Sequence, residues 1–322
     1  MLTSLRSLSQ RLPSSLRQGL KRYPLAIHLY RLLKVVWLEP LNQGRRLRYL
    51  RNYLWWYLWA QPRGQRQVVN FENGLSTWVY ADSDSGVSLL FTRNVDYYDD
   101  RYIRSQLRQG DFIVDAGCNV GNRTLALADL LGGALLLDAN PLCLQRLEEN
   151  FSLNQLPLAR FERVAKAVGA EAGELSFTDF GGTHCSNQLI EAGTAAGQPV
   201  RRVPVTTIDA ELARLGNPPC RFIKLDLEGH DLAGLQGCEQ TLRGRQVELV
   251  KFERWRSNPL QGFLDFFAAL DWVVFGLDAA GHPSQAESLL QTNSNLFAMP
   301  RQRWQASAVV RDNSGMTTDR PN

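Results

Sequence analysis

Two groups of residues in this chain could do chemistry. The first is Asp115-Ala116-Gly117-Cys118-Asn119-Val120-Gly121, which follows an apolar run and precedes a helical pattern. Gly117 and Gly121 lack a Cβ, so the backbone can turn sharply there and come close to a ligand. The helix that follows would offer free N–H groups and positive potential. A dinucleotide loop wants G-x-G-x-x-G, but Asn119 stands where the middle glycine would be and would crowd a pyrophosphate. Asp115 adds negative charge that suits an amino group better than a phosphate. A nucleotide-like ligand with a carboxylate fits this loop. A plain strand-turn-helix with glycines kept for packing remains the simpler alternative. Asp138 lies 23 residues after Asp115, one strand-helix-strand unit on. At the end of its strand it can accept hydrogen bonds from two ribose hydroxyls, or stand as a solvated loop acid.

The second group is Ile223-Lys224-Leu225-Asp226-Leu227-Glu228-Gly229-His230-Asp231, with Glu253 further on. Asp226 and Glu253 end successive apolar runs, and acids at the ends of adjacent parallel strands can converge on one cleft. Asp226 is expected to act as base or acceptor anchor, with Glu228 and Glu253 in support. Asp226 and Glu228 could equally do no more than hold their loop through backbone hydrogen bonds. Asp226, Glu253 and a nearby Asn could also hold Mg²⁺, though no ligand spacing demands a divalent metal. His184, in Thr183-His184-Cys185-Ser186-Asn187, is a further candidate base at neutral pH, or a solvated loop histidine. Nothing marks a partner for Cys185 as a nucleophile, and Cys118 is most simply a small packing residue.

The elements that must position these residues alternate. Phe112–Ala116 and Ala134–Leu137 are short apolar runs, with a helix expected over Thr124–Leu131 and stopped by Gly132-Gly133. Asn140-Pro141 starts a helix bearing Leu144, Leu147 and Phe151, with Asn140 as cap and Pro141 in the first turn. Phe222–Leu225 is strand-like, and Asp231 can cap a helix bearing Leu232, Leu235 and Leu242. Val247–Phe252, Trp272–Phe275 and Asn295–Met299 are further strands, with a helix over Leu260–Leu270. Such alternation predicts an α/β, Rossmann-like fold: a mainly parallel sheet with helices on both faces and a ligand outside the carboxyl ends of the strands.

Four stretches follow: a basic aromatic helical extension over 1–66, short strands with an Asn73-Gly74 hairpin signal over 67–110, the main domain over 111–299, and a polar flexible tail over 300–322. With 322 residues, 44% hydrophobic and 21% charged, the chain is neither disordered nor fibrous. Its net charge of +4 conceals an asymmetry. Residues 1–66 hold 13 Lys and Arg against the single acid Glu39, leaving 23 against 31 for the remainder. Five cysteines, an odd number without C-x-x-C spacing, argue against a disulfide framework or a zinc site and suit a reducing compartment. No run of 18 apolar residues is present, and no clean signal peptide.

Asp115–Gly121, Asp138–Pro141, the I-K-x-D-x-E-G segment at Ile223–Gly229 and Val203-Pro204-Val205-Thr206-Thr207-Ile208-Asp209 together resemble the FkbM family of S-adenosylmethionine-dependent, class I methyltransferases. The resemblance runs over about residues 95–299, and I-K-x-D-x-E-G is its specific part. Family members usually have Ala at Cys118 and His230, and Glu-Pro at Asp138-Ala139. The resemblance implies a seven-stranded sheet with an antiparallel last strand, and methyl transfer to a hydroxyl of a sugar, glycolipid or secondary metabolite. It places Asp115, Gly117, Asn119 and Gly121 around the methionine part and Asp138 at the ribose, with Asn140 beside it. Ala165 and Lys166 would lie near the adenine edge. A nicotinamide-dependent oxidoreductase and a non-catalytic cofactor-binding domain docked on a membrane or protein are the alternatives.

The extension carries Arg45, Arg46, Arg48 and Arg51 ahead of Trp55, Trp56 and Trp59. Such a stretch suits an anionic membrane surface, which would place the protein in the cytoplasm at the inner membrane face, with an acceptor bearing a free hydroxyl on a small molecule or glycan. A helical cap packed on the body suits it equally. Nucleic acid is disfavoured, because the body is acidic and no RNA-binding motif accompanies the arm.

Overall fold

The structure, a computed structural model, describes residues 36–37, 42–83, 86–92, 96–178, 182–183, 189–190, 199–244, 246–255 and 258–313. Its elements run in this order: α1 (Arg46–Trp55), β1 (Gln67–Asn70), β2 (Ser76–Val79), α2 (Tyr97–Gln106), β3 (Asp111–Ala116), α3 (Asn122–Leu127), β4 (Leu131–Leu137), α4 (Pro141–Leu153), β5 (Phe161–Val164), β6 (Ala167–Val168), β7 (Gly173–Thr178), β8 (Leu189–Ile190), β9 (Val200–Thr206), α5 (Ile208–Arg214), β10 (Cys220–Leu225), α6 (Asp231–Gln236), α7 (Glu239–Arg243), β11 (Leu249–Glu253), α8 (Leu260–Ala269), β12 (Trp272–Leu277), β13 (Pro283–Ser284), α9 (Glu287–Thr292), β14 (Asn295–Pro300) and α10 (Arg301–Asn313).

The main sheet has the order β13-β12-β14-β11-β10-β3-β4-β5. β3, β4, β5, β10 and β11 pair in parallel, while β14 runs antiparallel between β11 and β12. Seven strands with the last reversed are thus present as expected, with the two-residue β13 added at one edge. Chain order reverses between β3 and β10, which makes the carboxyl ends of these two strands the switch point.

Side chains alternate across the sheet, and that alternation builds two cores. Val114, Ala116, Leu135, Leu137, Ile223, Leu225, Val250 and Phe252 enter one. Ile113, Ala134, Leu136, Phe222, Leu249 and Phe297 enter the other. Both faces are covered, so the strands read as near-continuous apolar runs. Lys224 and Lys251 interrupt that pattern, are both buried, and lie side by side in the β10–β11 register.

Four expectations are corrected. The helix after the glycine loop ends at Leu127, and Gly132-Gly133 belong to β4 instead of stopping it. A Cβ on Gly132 would lie 2.3 Å from the Gly110 carbonyl oxygen, so the glycine is there for close strand packing. Asp231 is the first residue of α6 instead of its cap, and the helix over 231–243 is two pieces broken at Gly237-Cys238. Residues 67–110 hold the β1–β2 hairpin around Asn73-Gly74, but also α2. Residues 301–313, expected as tail, are helical, and Trp304 packs on Phe275 with ring centroids 4.9 Å apart. The described part of the extension is helical through Arg63, and buries Tyr49, Tyr53, Trp56 and Ala60 against Val79, Leu90 and Phe91. The packed cap therefore exists, while Leu47, Leu54, Trp55, Leu58 and Trp59 stay exposed. None of the described helices is long and apolar enough to cross a membrane.

Candidate functional site

The glycine loop leaves β3 and enters α3. Its conformation needs Gly117, which has φ +73°, and whose missing Cβ would sit 2.1 Å from the Asp226 carbonyl oxygen. Loop and β10 terminus are thereby locked together. Asn119 also has a positive φ, +48°, a conformation Asn tolerates, and its Oδ1 accepts from the Val120 N–H at 2.8 Å. Gly121 closes the turn, donating its N–H to the Cys118 carbonyl at 2.9 Å.

Asp138 follows β4 at the same edge. Its carboxylate accepts from the Asn119 N–H at 2.9 Å and the Asn140 N–H at 2.8 Å. Burial raises its pKa, and these two backbone donors only partly oppose that. Asn140 caps α4 as expected, accepting from the Leu142 N–H at 3.2 Å, while its Nδ2 donates to the Gly182 carbonyl at 3.0 Å. That amide is therefore committed to scaffolding. The Gly182-Thr183 pair is fixed further by Arg146, whose guanidinium donates to Thr183 Oγ1 at 2.8 Å and grips both Asp82 carboxylate oxygens. Ala165 is exposed after β5, whereas Lys166 forms an ion pair with Glu211 at 2.9 Å. His184 and Cys185 lie outside the described residues.

Asp115 is fully buried beneath the loop. Its carboxylate accepts from Thr124 Oγ1 at 2.8 Å and pairs with Lys224 Nζ at 3.1 Å. Lys224 also donates to the Gly117 carbonyl at 2.8 Å and stands 3.4 Å from Asp226. Burial disfavours the charged lysine, yet Asp115 and Asp226 hold its pKa above the usual range. Cys118 is buried and its thiol pushed well up, chiefly by that burial, which fits packing and not nucleophilic attack.

Asp226, Glu228 and Glu253 do converge: each offers a carboxylate oxygen within 4.8 Å of the others. Their environments differ. The Asp226 side chain is 41% exposed. Desolvation opposes its charge, but Lys224 and Lys251 outweigh it and hold the carboxyl below the usual range. Glu253 is buried, and that burial, with Asp226 and Asp231 nearby, lifts its pKa to about 8. Trp255 Nε1 donates to Glu253 at 3.1 Å. Glu228 has φ +52°, a strained setting for a non-glycine residue. Asp231 is fully buried, and its carboxylate accepts from the Leu227 N–H at 3.1 Å and the Glu253 N–H at 2.9 Å, tying the two strand ends together. Asp209, in the first turn of α5, accepts from the Gln240 and Thr241 N–H groups and so ties α5 to α7.

The structure adds residues that sequence reasoning missed. Lys251 pairs with Asp99 at 3.6 Å, and Asn295 Nδ2 donates to Asp99 at 2.9 Å. Arg123 pairs with Asp96 at 2.6 Å and with Asp100. Burial works against the Asp96 charge, but Arg123 and Lys251 hold that carboxyl well below the usual range, whereas burial keeps Asp99 above it. A lysine inside an apolar run, as in F-I-K-L and L-V-K-F, was the available signal for Lys224 and Lys251. Asp96–Asp100 carried none, because their approach depends on where α2 docks.

A family model described as the methyltransferase FkbM domain matches residues 115–274. Among solved structures, the chain is similar to the methyltransferase FkbM of Methylobacillus flagellatus KT, at 14% identity and a TM-score of 0.42, over 67% of this chain and 55% of that one. It is also similar to an rRNA methylase from Streptococcus thermophilus, at 13% identity and a TM-score of 0.38, over 62% and 92% of the two chains. A third is TrmK of M. capricolum in complex with S-adenosyl-homocysteine, at 9% identity and a TM-score of 0.32, over 63% and 67%. The chain thus spans little more than half of the FkbM structure it matches. No curated protein matches it.

Proposed function

Residues 115–274 belong to the methyltransferase FkbM domain family, and on that premise we propose that this chain binds S-adenosylmethionine across β3, β4 and β5 and methylates a hydroxyl of a sugar, glycolipid or other small acceptor. The observation that carries the cofactor assignment is Asp138, a carboxylate at a strand end, one strand-helix-strand unit after the glycine loop and bonded to that loop through Asn119. Each carboxylate oxygen has a second lone pair, so a pair of ribose hydroxyls can join the two backbone donors it holds. The Gly117–Gly121 backbone forms the wall for the amino acid end, and the exposed Ala165 borders the base. Asp115 supports this wall from beneath through Thr124 and Lys224.

When bound, S-adenosylmethionine supplies an electrophilic methyl on a sulfonium. The acceptor hydroxyl must lose its proton as the new C–O bond forms. Asp226, ionised and half-exposed, is poorly suited to take that proton and well suited to orient the hydroxyl by accepting from it. Glu253, with a pKa near the working range, is the better proton acceptor. Glu228 completes the acidic wall. Convergence of the three carboxylates also admits an oxygen-loving divalent cation that would bind the hydroxyl instead. Turnover abolished by EDTA and restored by Mg²⁺ would favour the cation. The exposed row Leu47, Leu54, Trp55, Leu58 and Trp59 on α1 and the turns after it supports docking on an anionic membrane.

Calorimetry with S-adenosylmethionine, S-adenosylhomocysteine and NAD tests the cofactor. The first two should bind and NAD should not. Asp138→Ala should weaken adenosylhomocysteine by roughly ten- to a hundredfold, because charged hydrogen bonds contribute on the order of 1.5–3 kcal/mol. NAD binding without adenosylhomocysteine binding would replace the methyltransferase by an oxidoreductase. Adenosylhomocysteine binding without turnover on any acceptor would favour a non-catalytic cofactor-binding domain.

A further inference from the structure

Between α1 and the β1–β2 hairpin lies a groove of about 540 Å³ that takes no part in the site above. That volume is enough for a small ligand. Arg45, Arg48 and Arg51 line it from one side. Arg48 and Arg51, three apart, share one face of α1, Arg45 stands at its N-cap, and all three are exposed. The other arginines of the body are mostly committed: Arg104 to Asp129, Arg146 to Asp82, Arg163 to Glu148 and Arg214 to Glu162 are examples. None of Arg45, Arg48 and Arg51 forms an ion pair or a ring contact with a described residue. Glu72 is the one carboxylate in the lining and leaves the groove at about +2.

We infer that this groove binds a phosphate-bearing ligand. The guanidinium groups of Arg45, Arg48 and Arg51 take the oxyanion. Planar guanidinium donors match phosphate oxygens in pairs, which a set of lysines would not. A soluble sugar phosphate and a phospholipid headgroup share this chemistry.

The test uses the full chain and two probes, glucose 6-phosphate by calorimetry and phosphatidylglycerol vesicles by sedimentation, with glucose and phosphatidylcholine vesicles as uncharged counterparts. Glucose 6-phosphate should bind and glucose should not. Arg48→Gln with Arg51→Gln should weaken binding by at least about tenfold, and each single variant by several-fold, with adenosylhomocysteine affinity unchanged throughout. That last measurement shows the variants are folded and separates this site from the cofactor site. Arginine-dependent binding of phosphatidylglycerol vesicles alone would identify a headgroup as the source and keep the site. Binding of neither probe, equal binding of glucose, or binding indifferent to Arg48 and Arg51 would overturn it.

Discussion

Replacing Glu253 by Gln probes the proton-transfer proposal most directly. The amide keeps the shape of the side chain and can still accept from Trp255 Nε1, so the bond seen at 3.1 Å need not be lost. Burial and the neighbouring Asp226 and Asp231 place the Glu253 pKa at about 8. At pH 7 roughly a tenth of the molecules then carry the ionised base, and about half do at pH 8. Methyl transfer by the parent chain should therefore rise close to tenfold between pH 7 and 9 and level off above. Glu253→Gln should lower kcat by roughly 10²–10⁴ and flatten the profile. Asp226→Asn supplies a second readout. It removes a like charge, so the midpoint must move to lower pH, whatever happens to the maximum rate. Stability carries the same signature. A carboxyl raised from 4.5 to about 8 binds more protons folded than unfolded, so its contribution is complete at acid pH and lost as pH climbs through that interval. Glu253→Gln should gain in melting temperature relative to the parent above pH 8. A parent rate flat from pH 6 to 9, or a Glu253→Gln variant at parental rate, would refute the reasoning.

Three other changes test the frame around the site. Gly117→Ala puts a Cβ 2.1 Å from the Asp226 carbonyl at φ +73°, so it should cost several kcal/mol and abolish adenosylhomocysteine binding, read by thermal melting and calorimetry. Lys224→Met leaves Asp115 buried without its cation, and a loss of about 3–5 kcal/mol is expected in urea unfolding at pH 7. Leu54→Gln with Leu58→Gln should remove the salt-resistant share of binding to anionic vesicles while leaving the melting temperature within about a degree, because both side chains are exposed. Unchanged sedimentation would leave α1 as a packed cap alone.

Much of this architecture could be read before any coordinates. Phe112–Ala116 and Phe222–Leu225 were legible as short strand-like runs and Leu260–Leu270 as a helix, and Asn140-Pro141 stated its helix start outright. Gly132-Gly133 misled, since glycine at a helix end and glycine at a crowded strand look alike until the Gly110 carbonyl is seen beside it. The polar segment after Pro300 hid a helix whose order comes from Trp304 meeting Phe275, a contact 29 residues apart in sequence. Asp226 and Glu253 were expected at strand ends with Glu228 two residues on, and their carboxylates do converge, but the contrast between a lowered Asp226 and a raised Glu253 was not foreseen. It depends on Lys224 and Lys251 lying next to one another across strands, and on Asp96 and Asp99 arriving from α2. Those are long-range electrostatic facts that local patterns do not carry.

The anchoring of Gly182-Thr183 bears on how this protein can be re-engineered. Asn140, two residues past Asp138, holds the Gly182 carbonyl, while Arg146 on the same helix holds Thr183 and Asp82. The Gly182-Thr183 pair, between β7 and β9, is therefore stapled to α4. Replacing Asn140, Arg146 or Asp82 would release that dipeptide. A grafted segment should keep this staple, because Asn140 also donates its N–H to Asp138.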